Sequence, residues 1–281
     1  MGEEIRKEDG SVLISDDVKR RLQGRLQRRT VLIVLTCLLV GGTVFGLFSF
    51  SAMKFLFSVE HVQCGQSSYY TSDEILLASG IQKGKPIFFL SEEEIKGSVL
   101  EKMPFLSDLK VEKVYPDTVR LVPVEERPLF YFVADIPENK YVVVSESQKV
   151  LAMYDDEMHV RASFGGIYRV EMPSLLYIVS GQQLQFKERG DSDYIPGLLN
   201  LLKDSDFFSE VQSVDLSNRF EITVYCRRNG LSAYRIYLGN KKDLSEKIEF
   251  AEGIRGRIPE DFEGLIGVED PTEGYADPDD K

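Results

Sequence analysis

The chain has 281 residues and a formal net charge of −12, unevenly placed: residues 1–29 hold eight basic and six acidic side chains, net +2, which leaves −14 for the remainder. So acidic a body argues against nucleic acid and anionic lipid, since both attract basic surfaces. Three scattered cysteines, Cys37, Cys64 and Cys226, are too sparse for a disulfide scaffold and read as free, buried thiols.

Residues 1–29 are polar apart from Val12-Leu13-Ile14 and read as a mostly flexible arm. Thr30 to Met53 then run without a charge. As a helix these residues reach roughly 36 Å, enough to cross a hydrocarbon core of about 30 Å with some tilt. The flank from Val18 to Arg29 holds Lys19, Arg20, Arg21, Arg25, Arg28 and Arg29 and no acid, which places the N-terminus in the cytoplasm and the residues after about Lys54 outside. A cleaved signal peptide has a shorter apolar core and a small-residue cleavage site, so an uncleaved anchor is expected. Gly42 and Gly46 match the small-xxx-small spacing that lets membrane helices approach closely.

From Phe57 the pattern alternates. Ser58 to Cys64 predicts a strand ending at Gly65. Thr71-Ser72-Asp73-Glu74 is a capping box opening a helix that Gly80 stops, and Ser91-Glu92-Glu93-Glu94 is a second box ahead of Ile95, Val99, Leu100 and Met103. Pro104 ends that helix, and strands follow at Leu109–Val114 and Thr118–Val124. Residues 57–127 thus read β-α-α-β-β.

That order behind an anchor resembles a POTRA domain. The residues resemble the FtsQ/DivIB family of bacterial cell-division proteins: Phe57, Val59, Val62 and Gly65; Gly84-Lys85-Pro86-Ile87-Phe88; Met103-Pro104-Phe105; Tyr115-Pro116-Asp117-Thr118; and Val124-Glu125-Glu126-Arg127-Pro128. Glu126 and Arg127 read as a hinge to a second domain.

Beyond it, strands are predicted at Leu129–Ala134, Tyr141–Val144, Val150–Tyr154, Leu175–Val179, Val211–Leu216, Phe220–Cys226, Ala233–Leu238 and Leu265–Val268. Helices are predicted at Ile195–Leu202 and Leu244–Arg255, and Arg228-Asn229-Gly230 supplies a hairpin turn. This region resembles the family's second ectodomain, including Tyr237-Leu238-Gly239 and Lys247, so the likeness spans roughly residues 25 to 276. The expected fold is α+β: arm 1–29, transmembrane helix 30–53, POTRA domain 57–127, a mixed α/β domain with an antiparallel-rich sheet at 128–270, and an acidic flexible tail at 271–281.

Catalytic patterns are weak. The histidines are His61 and His159 alone, which excludes a His-rich metal site and an H-E-x-x-H helix. Ser107 to Lys110 fits S-x-x-K but lies at the start of a strand without S-D-N or K-T-G. Gly80 to Pro86 is one residue short of a phosphate loop, and Pro86 stands where Ser or Thr would hold magnesium. No catalytic residue, cofactor, metal or small-molecule substrate is expected.

The resemblance implies a bitopic divisome scaffold in the cytoplasmic (inner) membrane at the septum. Its implied partners are FtsB (DivIC) and FtsL, with FtsK, FtsW and septal penicillin-binding proteins, so that it links early division proteins to septal peptidoglycan synthesis. A partner strand added to an open sheet edge would supply the affinity. The expected edge is Leu265-Ile266-Gly267-Val268, flanked by Gly264 and Glu269, as nothing downstream is expected to cover it. Some family members carry a basic and an aromatic residue just after this strand. Here Glu269-Asp270 stand there, which implies a basic partner or a contact shifted to Tyr275. Glu92 to Val114 is a second, lesser docking face. A POTRA chaperone of outer-membrane secretion is the alternative reading, but neither barrel strands nor a second β-α-α-β-β unit accompanies it.

Overall fold

A computed structural model gives the fold; it describes residues 5–6, 12–13, 16–134 and 139–279, and the side chains of 29–49, 56–134 and 139–279. A short ladder pairs β1 (Ile5–Arg6) with β2 (Val12–Leu13). The rest of the expected flexible arm up to Ile14-Ser15 lies outside the described residues.

Helix α1 (Asp16–Leu56) is longer than the apolar run predicts, because it continues N-terminally through the basic flank. That flank has no apolar stripe, yet Lys, Arg, Leu and Gln are all good helix formers, and the membrane segment supplies the nucleus. Arg29–Ser49 is the stretch long and apolar enough to cross a membrane, with mean hydropathy 2.5. Its side chains are exposed, as Phe45 at 74% shows, so its apolar surface is left for lipid to cover. Thr36 and Thr43 donate their hydroxyls to Leu32 O and Val40 O, both at 2.8 Å, which leaves neither unsatisfied in lipid. Nothing lies within 4 Å of where a Cβ on Gly42 or Gly46 would stand.

The POTRA order follows: β3 (His61–Cys64), α2 (Ser72–Ser79), a 3-10 turn (Ile87–Phe89), α3 (Glu92–Lys102), β4 (Leu106–Val114) and β5 (Thr118–Glu125), in a sheet ordered β3-β5-β4. The first capping box closes as predicted: Glu74 N–H donates to Thr71 Oγ1 at 3.3 Å and Thr71 N–H to Glu74 Oε2 at 2.8 Å. At the second, Ser91 Oγ accepts from Glu94 N–H at 3.2 Å, but the carboxylate it turns to is that of Glu93, at 3.4 Å. Ile75, Val99, Leu106, Leu109 and Leu121 are buried.

The second region holds β6 (Pro128–Ala134), β7 (Lys140–Ser145), β8 (Val150–Tyr154), α4 (Glu157–Ser163), β9 (Tyr168–Glu171), β10 (Leu175–Tyr177), β11 (Gln185–Phe186) and α5 (Arg189–Asp204). After a 3-10 turn come β12 (Val211–Asp215), β13 (Ile222–Arg228), β14 (Ser232–Gly239), α6 (Leu244–Arg255), β15 (Gly264–Asp270) and β16 (Glu273–Pro278). Nine strands form one mixed sheet in the order β16-β15-β14-β13-β12-β9-β6-β7-β8, while β10 and β11 pair separately.

Alternation along β6 explains the layering. Phe130 and Phe132 enter one core with Ile195, Leu198, Leu199 and Leu202 of α5 and Ile248 and Ala251 of α6. Tyr131 points the other way, into a smaller cluster with Val143, Leu151, Val160 and Phe164. Each fully buried side chain of this size stabilises by roughly 1.5–3 kcal/mol, so a strand covered on both faces anchors the sheet.

By contact density the chain divides into two units, one of residues 1–61, 82–90 and 113–119, the other of 62–81, 91–112 and 120–281. Within the second, the expected hinge is pinned. Glu126 N–H donates to Phe105 O at 2.8 Å, its buried carboxylate accepts from Ser147 Oγ at 3.0 Å, and Lys149 Nζ donates to Leu106 O at 2.7 Å. Phe105 stacks on Phe164 at 5.9 Å.

Candidate functional site at an open sheet edge

The far end of the nine-stranded sheet is built from α6 outward. Lys247 is 1% exposed, and its Nζ donates to Leu238 O and Asn240 O, both at 2.9 Å. Burial lowers its pKa, against the opposing pull of Asp243, Asp270 and Glu269. One ammonium thereby ties the end of β14 to α6, so the chain returns parallel as β15, with Tyr234↔Gly264 and Ile236↔Ile266 in register.

Here the structure corrects the expected edge. Gly264, Ile266, Gly267 and Val268 are buried, because β15 is flanked on its other side by β16. Residues 273–278, expected within a flexible tail, form that strand; 280–281 lie outside the described residues. A turn makes the reversal: Asp270 Oδ1 accepts from Thr272 Oγ1 at 2.6 Å and Thr272 N–H at 2.9 Å, and these bonds hold its carboxyl below the usual range. Glycine then lets the strands close. The Tyr275 ring lies against Gly267 where a Cβ would stand, and Phe250 and Ile254 of α6 do the same at Gly274. An aromatic ring covering a cross-strand glycine is a recognised way to hold a weak pair.

All six residues of β16 are exposed, with Tyr275 at 50%. Glu273 and Asp277 lie on it and Glu269, Asp270 and Asp279 flank it, and Arg235 bonds Asp279 Oδ1 at 2.7 Å. Beside it a groove is lined by Glu246, Glu249, Phe250, Gly253, Ile254, Arg257 and Pro271. An exposed strand, an aromatic side chain, an adjacent groove and acidic flanks suit an added strand of basic character.

Beneath this end sits a charge cluster that no motif signalled. Burial alone would raise the pKa of Glu210, but bonds from Arg255 and Tyr234, with Arg228 nearby, outweigh it and lower the pKa. Arg228 also donates to Pro259 O and Arg255 O, each at 3.1 Å. The cluster joins β13, β14 and α6, and its only sequence trace was the hairpin around Arg228.

Other expected positions fall as follows. Cys226 is buried, its thiol pushed up to about 12 by that burial; Cys64 is half-buried and Cys37 is exposed on α1, all three free. Ser107 Oγ donates to Val124 O at 3.1 Å, a structural bond on a strand. The amides of the would-be phosphate loop are in use, Gly84 N–H on Val59 O at 2.8 Å and Lys85 N–H on Gln82 O at 3.4 Å. Glu60, His61 and Asp117 bring ligand atoms within 4.8 Å of one another, a grouping common among exposed acids, and no metal is assigned. In the lesser docking face Ile95, Val99, Leu106 and Leu109 are buried.

Residues 57–127 match the family model described as the FtsQ-type POTRA domain. No curated protein matches the chain. An FtsQ-type POTRA domain directly behind an apolar N-terminal helix fits a membrane-anchored, division-associated protein like FtsQ and DivIB.

Proposed function

We propose that this chain is a bitopic scaffold of the division machinery that lends the β16 edge to a partner's strand. The observation that carries the reading is an exposed edge strand, Glu273–Pro278, on a large sheet beyond an FtsQ-type POTRA domain. Small bitopic proteins of the FtsB/DivIC and FtsL type are its partners, with FtsK, FtsW and septal penicillin-binding proteins in the same assembly. It links early division proteins to septal peptidoglycan synthesis and performs no chemistry. It sits in the cytoplasmic membrane at the septum with Lys19 to Arg29 inside and the ectodomains outside.

Backbone hydrogen bonds along β16 supply affinity, and Tyr275 with the acidic flanks supplies selectivity. Capture from solubilised membranes tests this, comparing the full chain with Tyr275→Ala. Recovery of small coiled-coil bitopic proteins, reduced by the substitution, supports the reading. Recovery of β-barrel proteins instead, or capture indifferent to Tyr275, contradicts it, and barrels would favour a secretion chaperone.

A further inference from the structure

Three rings from separate segments meet where α1 ends. Phe57 immediately follows Leu56, the last helical residue, and its ring centroid lies 5.1 Å from that of Phe88 and 6.2 Å from that of Tyr115. Phe88 and Tyr115 stack at 5.2 Å, and Ile87 N–H donates to Phe57 O at 2.8 Å, which fixes the 3-10 turn against the helix exit. A hydrophobic cluster normally hides its rings, yet Phe88 is 47% exposed, Tyr115 52% and the neighbouring Phe89 70%. Segment 82–90 also carries exposed Lys83 and Lys85 and no acid, against a net −14 for residues 30–281.

Depth decides what covers these rings. Arg29–Ser49 spans the hydrocarbon core, and Phe57 stands about 12 Å further along the axis, within a side chain's length of a headgroup layer about 5–8 Å deep. Aromatic rings collect at that level, and lysines beside them meet lipid phosphates. We infer that Phe57, Phe88, Phe89 and Tyr115, with Lys83 and Lys85, form a second membrane contact, a folded tip that dips into the headgroup layer of the bilayer α1 crosses. Lys83 and Lys85 offset locally the repulsion of an acidic body for anionic lipid, beside the acids Glu60 and Asp117 of the same unit.

The chain contains no tryptophan, so Phe89→Trp creates a single reporter at an exposed position. The full chain carrying it is reconstituted in vesicles of phosphatidylcholine and phosphatidylglycerol, with acyl chains brominated or not, and probed separately with aqueous iodide. Brominated lipid is expected to quench the emission by about half, with little quenching by iodide. Strong iodide quenching with no effect of bromine means that the ring stands in water, and protection from both quenchers means that protein covers it; either overturns the proposal. Adding Lys83→Glu and Lys85→Glu is expected to weaken the lipid quenching, and unchanged quenching would overturn the role given to the lysines.

Discussion

The nine-stranded sheet ends in two strands that are treated in opposite ways. At β8, passing chain occupies the edge: Val150 N–H donates to Gln182 O and Gly181 N–H to Val150 O, both at 2.8 Å, while Leu184 N–H donates to Gln148 O at 2.9 Å. A bridge pairs Lys149 with Gln183, and Val150 and Leu151 are buried. At β16, no backbone bond from outside the hairpin reaches 273–278 among the described residues, and every side chain is exposed. Proteins cover the edges that would otherwise recruit stray strands. The acid residues around β16 repel a second copy of the same edge while leaving it open to a basic strand, so charge selects where backbone alone would not.

The largest way to break the contrast is to loosen the floor of the open end. Glu210→Ala leaves Arg255 and Arg228 without their carboxylate and is expected to cost about 3–5 kcal/mol in denaturant unfolding. Acid should act through the same group. Its folded pKa lies below the ordinary 4.5, so its contribution is present above pH 4.5 and is lost as pH falls through the folded value. Thermal melts should therefore drop on acidification below about pH 4.5, and less steeply in Glu210→Gln.

Next comes Gly267→Val, which places methyl groups where the Tyr275 ring lies. Unpairing β16 from β15 should cost about 1–3 kcal/mol and remove partner capture, both measurable on one preparation. Smaller again is Tyr275→Ala, expected to weaken partner binding by about tenfold, roughly 1.4 kcal/mol, as read by titration. At the closed edge, Ser180→Ala removes only a 3.4 Å bond to Leu151 O and should shift stability by under about 0.5 kcal/mol without changing capture.

The sequence reading was strong where local chemistry and burial agree. Thr71 and Glu74 marked a helix start that the structure makes bond for bond, and the β-type run Leu129–Ala134 marked β6 because both of its faces are buried. It failed where an element has no buried stripe of its own. Glu157–Ser163 buries only Val160, too little to show a helical period, and Tyr168–Glu171 is four residues held by parallel neighbours far along the chain. Strand β16 is the extreme case: Glu, Gly, Tyr, Ala, Asp and Pro, all exposed, have the composition of a solvated tail. Its reason for being a strand lies in Gly267 facing Tyr275 and in the Asp270 turn, which are visible only once register is known.

Amide hydrogen exchange on the membrane-reconstituted chain, with and without the captured bitopic partner, compares the two edges within one molecule. An added strand predicts at least about tenfold slower exchange in residues 273–278 on binding and no change in 150–154. Unaltered exchange at β16 while the partner is bound, or protection appearing at β8 instead, would contradict the assignment of the open edge as the docking site.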